Sequence, residues 1–202
     1  MGARLSTSSR VFFWCGGAMG RYVALLRGIN VGGHRKLPMK RAVALFEDHG
    51  CTDVTHYIQS GNIAFSATAA AAKRVPALVA GSIADVEGFD VPVTLRSERE
   101  LAAVARAHPF AGADVDPKML HVAFLGTRPK PRAIANIDPE RSPGDLFEVR
   151  GREVFVYYER GAGKTKLTND YLEKQLGVVS TMRNWRTVGR LMSMVTVHEE
   201  HA

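Results

Sequence analysis

Cysteine is scarce: Cys15 and Cys51 are the only two in 202 residues. They are too few and too oddly placed for a disulfide framework, which points to a reducing cytoplasm. No apolar window approaches the ~18 residues that a membrane-spanning helix needs, so no membrane partner is expected. Acidic residues are missing before Glu47 and again from Lys174 to Met194. The seven histidines show no metal-ligand spacing, and His198-Glu199-Glu200-His201 falls one residue short of H-E-x-x-H. Neither a metal nor a cofactor is implied. Ser60 lacks the glycine-flanked turn of a hydrolase nucleophile, and Cys51, just after the helix-ending Gly50, reads as a small apolar residue. No catalytic residue can be assigned.

Positive charge is plentiful and clustered. The net charge is +7, from 27 basic and 20 acidic side chains. Arg21, Arg27, Arg35, Lys36, Lys40 and Arg41 crowd the first acid-free stretch; Arg183, Arg186 and Arg190 occupy the second. Arg160, Lys164 and Lys166 lie between them. Such clustering suits an anionic partner. The alternative is a solvated basic surface that binds nothing. The length allows one large domain or two small ones sharing a core.

Residues 1–19 carry two arginines and a short apolar run without a cleavage pattern, and read as a disordered extension or an over-long start. From Gly20 onward the patterning is regular. Arg21 to Leu26 reads as a buried strand, Pro38 to Phe46 as a helix, and Thr55 to Ala67 as a tight hairpin about Ser60-Gly61-Asn62. A helix from Ala69 to Asp85, started, kinked or interrupted at Pro76, and a strand from Asp90 to Leu95 complete a β-α-β-β-α-β order. Ser97 and Glu100 form a capping box for a connecting helix. The order then repeats: a strand at Met119 to Leu125, a short helix near Arg132 to Ile137, and a hairpin about Arg150-Gly151. A Thr168-capped helix closed by Gly177, a strand at Val178 to Met182 and a helix at Trp185 to Val195 follow. No residue-level repeat is visible, so the duplication rests on element order. The expected architecture is α+β: two tandem ferredoxin-like subdomains with antiparallel sheets, at 20–97 and 98–197, then a tail at 198–202.

The stretch VFVYYERGAGKTKLTND (Val154 to Asp170) has the outline of a nucleotide-binding P-loop. A P-loop ending in Gly163-Lys164-Thr165 needs glycine at position 158, where Tyr158 stands. It also normally follows the first strand of a parallel sheet, not a hairpin. A P-loop NTPase is therefore rejected. What remains is a helix entry with Lys164, Thr165, Lys166 and Thr168, where free amides favour an anion, or else an ordinary capped loop. The loop Arg27-Gly28-Ile29-Asn30-Val31-Gly32-Gly33 fails the dinucleotide spacing but permits close approach of a ligand.

Taken together, ALLRGINVGG, YIQSGNIAF, GAGKTKLTN and TMRNWRTV resemble one family, a widespread bacterial domain-of-unknown-function family marked by LRGINVGG, YIQSGN and RNW-x-T motifs. The likeness runs from about Gly20 to Val195. Where that family usually carries Ser-Lys-Leu, this chain has Thr165-Lys166-Leu167, which keeps the hydroxyl and the lysine. The resemblance implies an α+β fold of two similar ferredoxin-like subdomains and no established activity. The residues expected to bind an anionic ligand, either a nucleic acid or a small phosphorylated metabolite, are Arg27, Asn30, Gln59, Asn62, Lys166, Arg183 and Asn184. Tyr57 or Trp185 offers a ring for a base, or a core anchor. Two other readings stand beside it: an enzyme with a small anionic substrate at the junction of the halves, and a structural network in which these side chains bond loop carbonyls.

Overall fold

The computed structural model describes residues 17–196. The readings of residues 1–16, the tail and the His198–His201 pair lie outside the described residues. The first half runs β1 (Met19–Leu26), α1 (Met39–Asp48), β2 (Thr52–Tyr57), β3 (Asn62–Thr68), α2 (Ala69–Glu87) and β4 (Val93–Ser97). After α3 (Glu98–Arg106) the second half repeats it with β5 (Leu120–Leu125), α4 (Pro131–Ile134), β6 (Leu146–Arg150), β7 (Glu153–Tyr157), α5 (Asn169–Leu176) and β8 (Ser180–Asn184). Helix α6 (Trp185–Val195) ends the described chain. The result is an α+β protein with two four-stranded antiparallel sheets, ordered β2-β3-β1-β4 and β6-β7-β5-β8.

Alternation along the central strands sorts the core into layers, because successive side chains point to opposite faces. Ala24, Leu26, Ile63 and Phe65 face α1 and α2, meeting Ala42, Phe46, Val75 and Val79. Ala123, Leu125, Val154 and Val156 face α5, meeting Leu172 and Leu176. The opposite faces belong to one shared cluster: Val23, Leu25 and Ala64 from the first sheet, Val122, Phe124 and Phe155 from the second. Leu101 and Val104 of α3 and Val188, Leu191 and Val195 of α6 complete it. Both sheets are therefore covered on both faces. That is why β3 and β5 are buried almost without a break and not at alternate residues.

Three local readings need correction. Helix α2 spans Ala69–Glu87 as expected from its N-terminus, but Pro76 neither starts nor interrupts it and lies inside it. A proline inside a helix costs on the order of 3 kcal/mol, and the apolar row Ala72, Val75, Val79 and Ile83 buried against the first sheet offsets that loss. The hairpin is not a tight turn about 60–62: it is a four-residue connection, Ile58 to Gly61, in which Ile58 and Gly61 take positive φ and Asn62 is a buried strand residue. Strands β4 and β8 each begin slightly later than the composition indicates, where pairing with the end of β1 and β5 starts (Leu26 with Val93, Leu125 with Ser180).

Cys51 is buried, and burial pushes its thiol up to about 11, so it is inert packing. His108 is a neutral constituent of the shared layer. Its ring lies edge-on to Trp185 at 4.7 Å and Phe155 at 5.2 Å, its Nε2 faces the His121 carbonyl at 3.3 Å, and its Nδ1 accepts from the Phe110 amide. Burial pulls its pKa down to about 4; the hydrogen bond to the His121 carbonyl opposes this, and the charges of the His121 ring and Arg150 add to the lowering. A histidine with a depressed folded pKa binds its proton more readily when unfolded, so its contribution is fully present above pH ~6.5 and lost as pH falls towards 4. Urea unfolding at pH 7.5 and pH 4.5 is expected to differ by about 2–3 kcal/mol through this residue. His108→Gln should shrink that difference; an unchanged pH dependence in the variant would refute the assignment.

Candidate functional site

The end of each sheet's last strand carries a buried arginine aimed at the opposite half. In β8, Arg183 pairs across from Val122, and in β4, Arg96 pairs across from Val23, so both point into the shared layer. Arg183 donates from Nε to Asn62 Oδ1 at 2.6 Å and from Nη1 to the Met182 carbonyl and Thr181 Oγ1, both at 2.8 Å. Its Nη2 donates to the carbonyls of Leu26 and Ser60 at 3.0 Å, with Gly61 O at 3.3 Å. Arg96 makes the counterpart set: Nε to Glu153 Oε1 at 2.8 Å, Nη1 to Leu95 O at 2.8 Å, and Nη2 to Leu125 O and Arg152 O at 2.9 Å. Leu26 and Leu125 hold equivalent places at the ends of β1 and β5, and their amides bond Gly61 O and Arg152 O respectively, each at 2.8 Å. The two halves thus clasp each other reciprocally, each through an arginine and the other's hairpin.

The clasps differ at the group that meets Nε, and Arg183 alone also bonds a side-chain hydroxyl, Thr181 Oγ1. Arg96 has a carboxylate, Glu153; Arg183 has the neutral amide of Asn62 in the same place. Among the described residues no carboxylate lies within salt-bridge reach of Arg183. Its charge is held by neutral oxygens alone, and burial pulls its pKa down to about 10. The Asn62 amide is oriented for this, since its Nδ2 donates to Tyr57 O at 3.1 Å and Ser60 Oγ at 3.0 Å. Gly61 is required by space as well as by its φ of 77°: a Cβ there would stand 2.7 Å from Leu26 Cβ.

Five of the seven expected residues meet at this junction. Arg27 donates from Nε to Ser180 O at 2.9 Å and pairs with Asp170 at 2.8 Å and with Glu173, tying the end of β1 to β8 and α5. Asn30 accepts from the Leu37 amide and donates to the Leu37 carbonyl, both at 2.9 Å, and its Nδ2 reaches Gln59 O at 2.7 Å. Gln59 contributes its carbonyl there, and its exposed side-chain amide makes no hydrogen bond among the described residues. Asn62 and Arg183 complete the group. Asn184 stands apart, capping α6 through the Arg186 amide and donating to Lys118 O at 3.1 Å. Lys166 also stands apart and shares no partner with Arg27 or Arg183; its amide donates to Ser142 Oγ at 3.2 Å. Tyr158 is fully buried and donates to Leu167 O at 2.9 Å, so the residue that displaces a P-loop glycine is a core anchor for the loop beyond it.

By closing on Leu37, Asn30 pins the base of a small exposed hairpin. Val31 and His34 bridge across Gly32-Gly33, whose φ values of 61° and 79° suit a type I′ turn. Residues 31–36 are all exposed, while Ile29 and Leu37 on either side are fully buried. Asn30, Arg35 and Ile58 all take left-handed φ (55°, 48° and 49°), and these are three of the four such non-glycine residues among the described residues. Arg35 and Lys36 pair with no carboxylate among the described residues.

Sequence reasoning passed over Arg96. The signal was there: Thr94-Leu95-Arg96-Ser97 and Thr181-Met182-Arg183-Asn184 match in pattern, and each ends on the N-cap of the following helix. Charged hydrogen bonds contribute roughly 1.5–3 kcal/mol each, and buried carbonyls left unpartnered carry a further cost. Arg183→Met should therefore lower unfolding stability by at least about 3 kcal/mol in denaturant titration, and Asn62→Ala should lose most of its own effect in that background. Additive losses would show that the two side chains do not act together.

The chain matches the family model described as "Protein of unknown function (DUF1697)" over residues 19–155. Its fold is similar to the structure of conserved bacterial protein SP0830 from Streptococcus pneumoniae, with a TM-score of 0.65 and 23% identity over 89% of this chain and 100% of that one. No curated protein matches it. No helix among the described residues is long and apolar enough to cross a membrane. With the family model spanning β1 through β7, the chain belongs to the DUF1697 family of proteins of unknown function.

Proposed function

We propose that the protein binds nucleic acid, and that the basic hairpin 31–36 is the part that meets it. The observation that carries this reading is the concentration of backbone strain at one exposed place. Left-handed backbone in non-glycine residues is costly and persists where surroundings over-determine it, commonly at functional sites. Here Asn30, Arg35 and Ile58 adopt it, and the segment they hold presents His34, Arg35 and Lys36, none of which pairs with a carboxylate among the described residues. All six hairpin residues are exposed. Small-molecule sites are concave, whereas a rigid basic projection suits a groove or a phosphate backbone. The exposed Gln59 amide beside it can bond a base edge or a sugar.

The remaining expected residues fit a supporting role. All the N–H groups of Arg183 are engaged, and Arg27 is paired with two carboxylates, which supports reading them as the clasp that positions the loops. The same engagement counts against a junction enzyme. Within this proposal residues 20–97 and 98–197 are two ferredoxin-like subdomains, a reading supported by their shared element order and strand order. Both inner sheet faces are buried in the shared core, so nucleic acid is met by loops and not by a sheet face.

Fluorescence anisotropy with labelled single- and double-stranded oligonucleotides across salt tests the proposal. Affinity should fall linearly in log salt, and R35Q/K36Q should reduce that slope by about 1.5, at roughly 0.7–0.9 per lost phosphate contact. No binding at low salt, or an unchanged slope in the variant, would overturn it.

A further inference from the structure

We propose a second, separate site: the depression between the 142–145 and 159–166 segments binds a phosphomonoester dianion. It encloses about 230 Å³ and is lined by Ser142, Asp145, Arg160, Lys164, Thr165 and Lys166. The depression is concave, and its walls are fixed by hydrogen bonds. Thr165 Oγ1 donates to Asp145 Oδ2 at 2.5 Å and accepts from the Leu167 amide at 2.8 Å. Asp145 Oδ1 accepts from the Glu159 amide at 3.0 Å, and Ser142 Oγ accepts from the Lys166 amide at 3.2 Å. Below them, Tyr158 holds Leu167 in the core.

This bracing decides the electrostatics. Asp145 is the single carboxylate in the lining, and both its oxygens are taken by a hydroxyl and an amide. The three cations face the depression largely unneutralised. Lys164 and Lys166 pair with no carboxylate among the described residues, and Arg160 meets Glu159 only at 3.7 Å. Three cations against the engaged Asp145 and the adjacent Glu159 leave an excess of positive charge, which suits an anionic phosphoryl group. Ser142 Oγ accepts from the Thr165 hydroxyl at 3.4 Å and from the Lys166 amide, and its own proton meets no acceptor among the described residues, which leaves it to donate to a ligand. The volume admits a terminal phosphoryl group with a small substituent and excludes a duplex.

The test uses the full chain, ¹⁵N-labelled, titrated with phenyl phosphate and with phenyl sulfate, its monoanionic isostere. Phenyl phosphate at pH 7.5, above the second phosphoryl pKa of ≈ 6, should give saturable shifts centred on the amides of Gly163 to Thr168. Phenyl sulfate should bind at least tenfold more weakly. K164Q/K166Q, which changes only exposed side chains, should weaken phenyl phosphate at least tenfold, while R35Q/K36Q should leave it unchanged. Absence of saturable shifts, equal response to the sulfate, or unaltered affinity in K164Q/K166Q would each overturn the site. Loss of affinity in R35Q/K36Q would transfer the binding to the hairpin and likewise overturn it.

Discussion

A guanidinium taken out of water needs oxygens for its N–H groups, and in this architecture each half supplies those that Nε and Nη2 of the other half's arginine meet, while Nη1 bonds within its own strand. Arg183 finds them at the end of β1 and in the 58–62 connection; Arg96 finds them at the end of β5 and in the turn after β6. The requirement is positional as well as chemical. Leu26 O and Gly61 O converge only because the Leu26 amide already bonds Gly61 O and because residue 61 has no Cβ. Moving either half would strand carbonyls and a positive charge in an apolar layer, a cost of several kcal/mol. Two central strands buried on both faces follow from the same docking.

The junction also explains why the exposed loops can hold strained conformations. Arg183 fixes the 58–62 connection, whose Gln59 carbonyl fixes Asn30, whose amide closes the hairpin base on buried Leu37. Each bond is local, yet the chain of bonds runs from a buried charge to an exposed basic tip. The Asn62-for-Glu153 difference breaks the symmetry on this side: the clasp next to the hairpin carries net positive charge, and its twin does not. The depression beside α5 uses another device, in which Asp145 and Thr165 brace two loops so that lysines are left unpaired around them.

Much of the fold was legible because local signals agreed with one another. Ser97 with Glu100, Thr168 with Gly177, and the apolar row from Trp185 to Val195 marked helix boundaries that the structure keeps. Pro76 misled because helix propensity is overridden when an apolar face is buried against a sheet. The 58–61 connection misled because Gly61 and Asn62 look like turn residues, whereas tertiary demand puts Asn62 in the core and the β-branched Ile58 in left-handed backbone. The motif residues were recognisable as a set, but their burial was not. Nothing local distinguishes an arginine that meets solvent from one that meets three carbonyls of other segments. The paired Thr-x-Arg tetrapeptides held that information, and it becomes readable once both are seen to end on helix caps.

Native-state hydrogen exchange tests most directly whether the reciprocal clasps and shared layer make the halves one cooperative unit. The amides of Ala24 in β1 and Ala123 in β5 lie at equivalent central positions of the two sheets. The account predicts that both exchange through the same opening, with equal opening free energies in the wild type and equal decreases in Arg183→Met. Two different opening free energies, or a decrease confined to Ala24, would mean that the halves open independently and would contradict it.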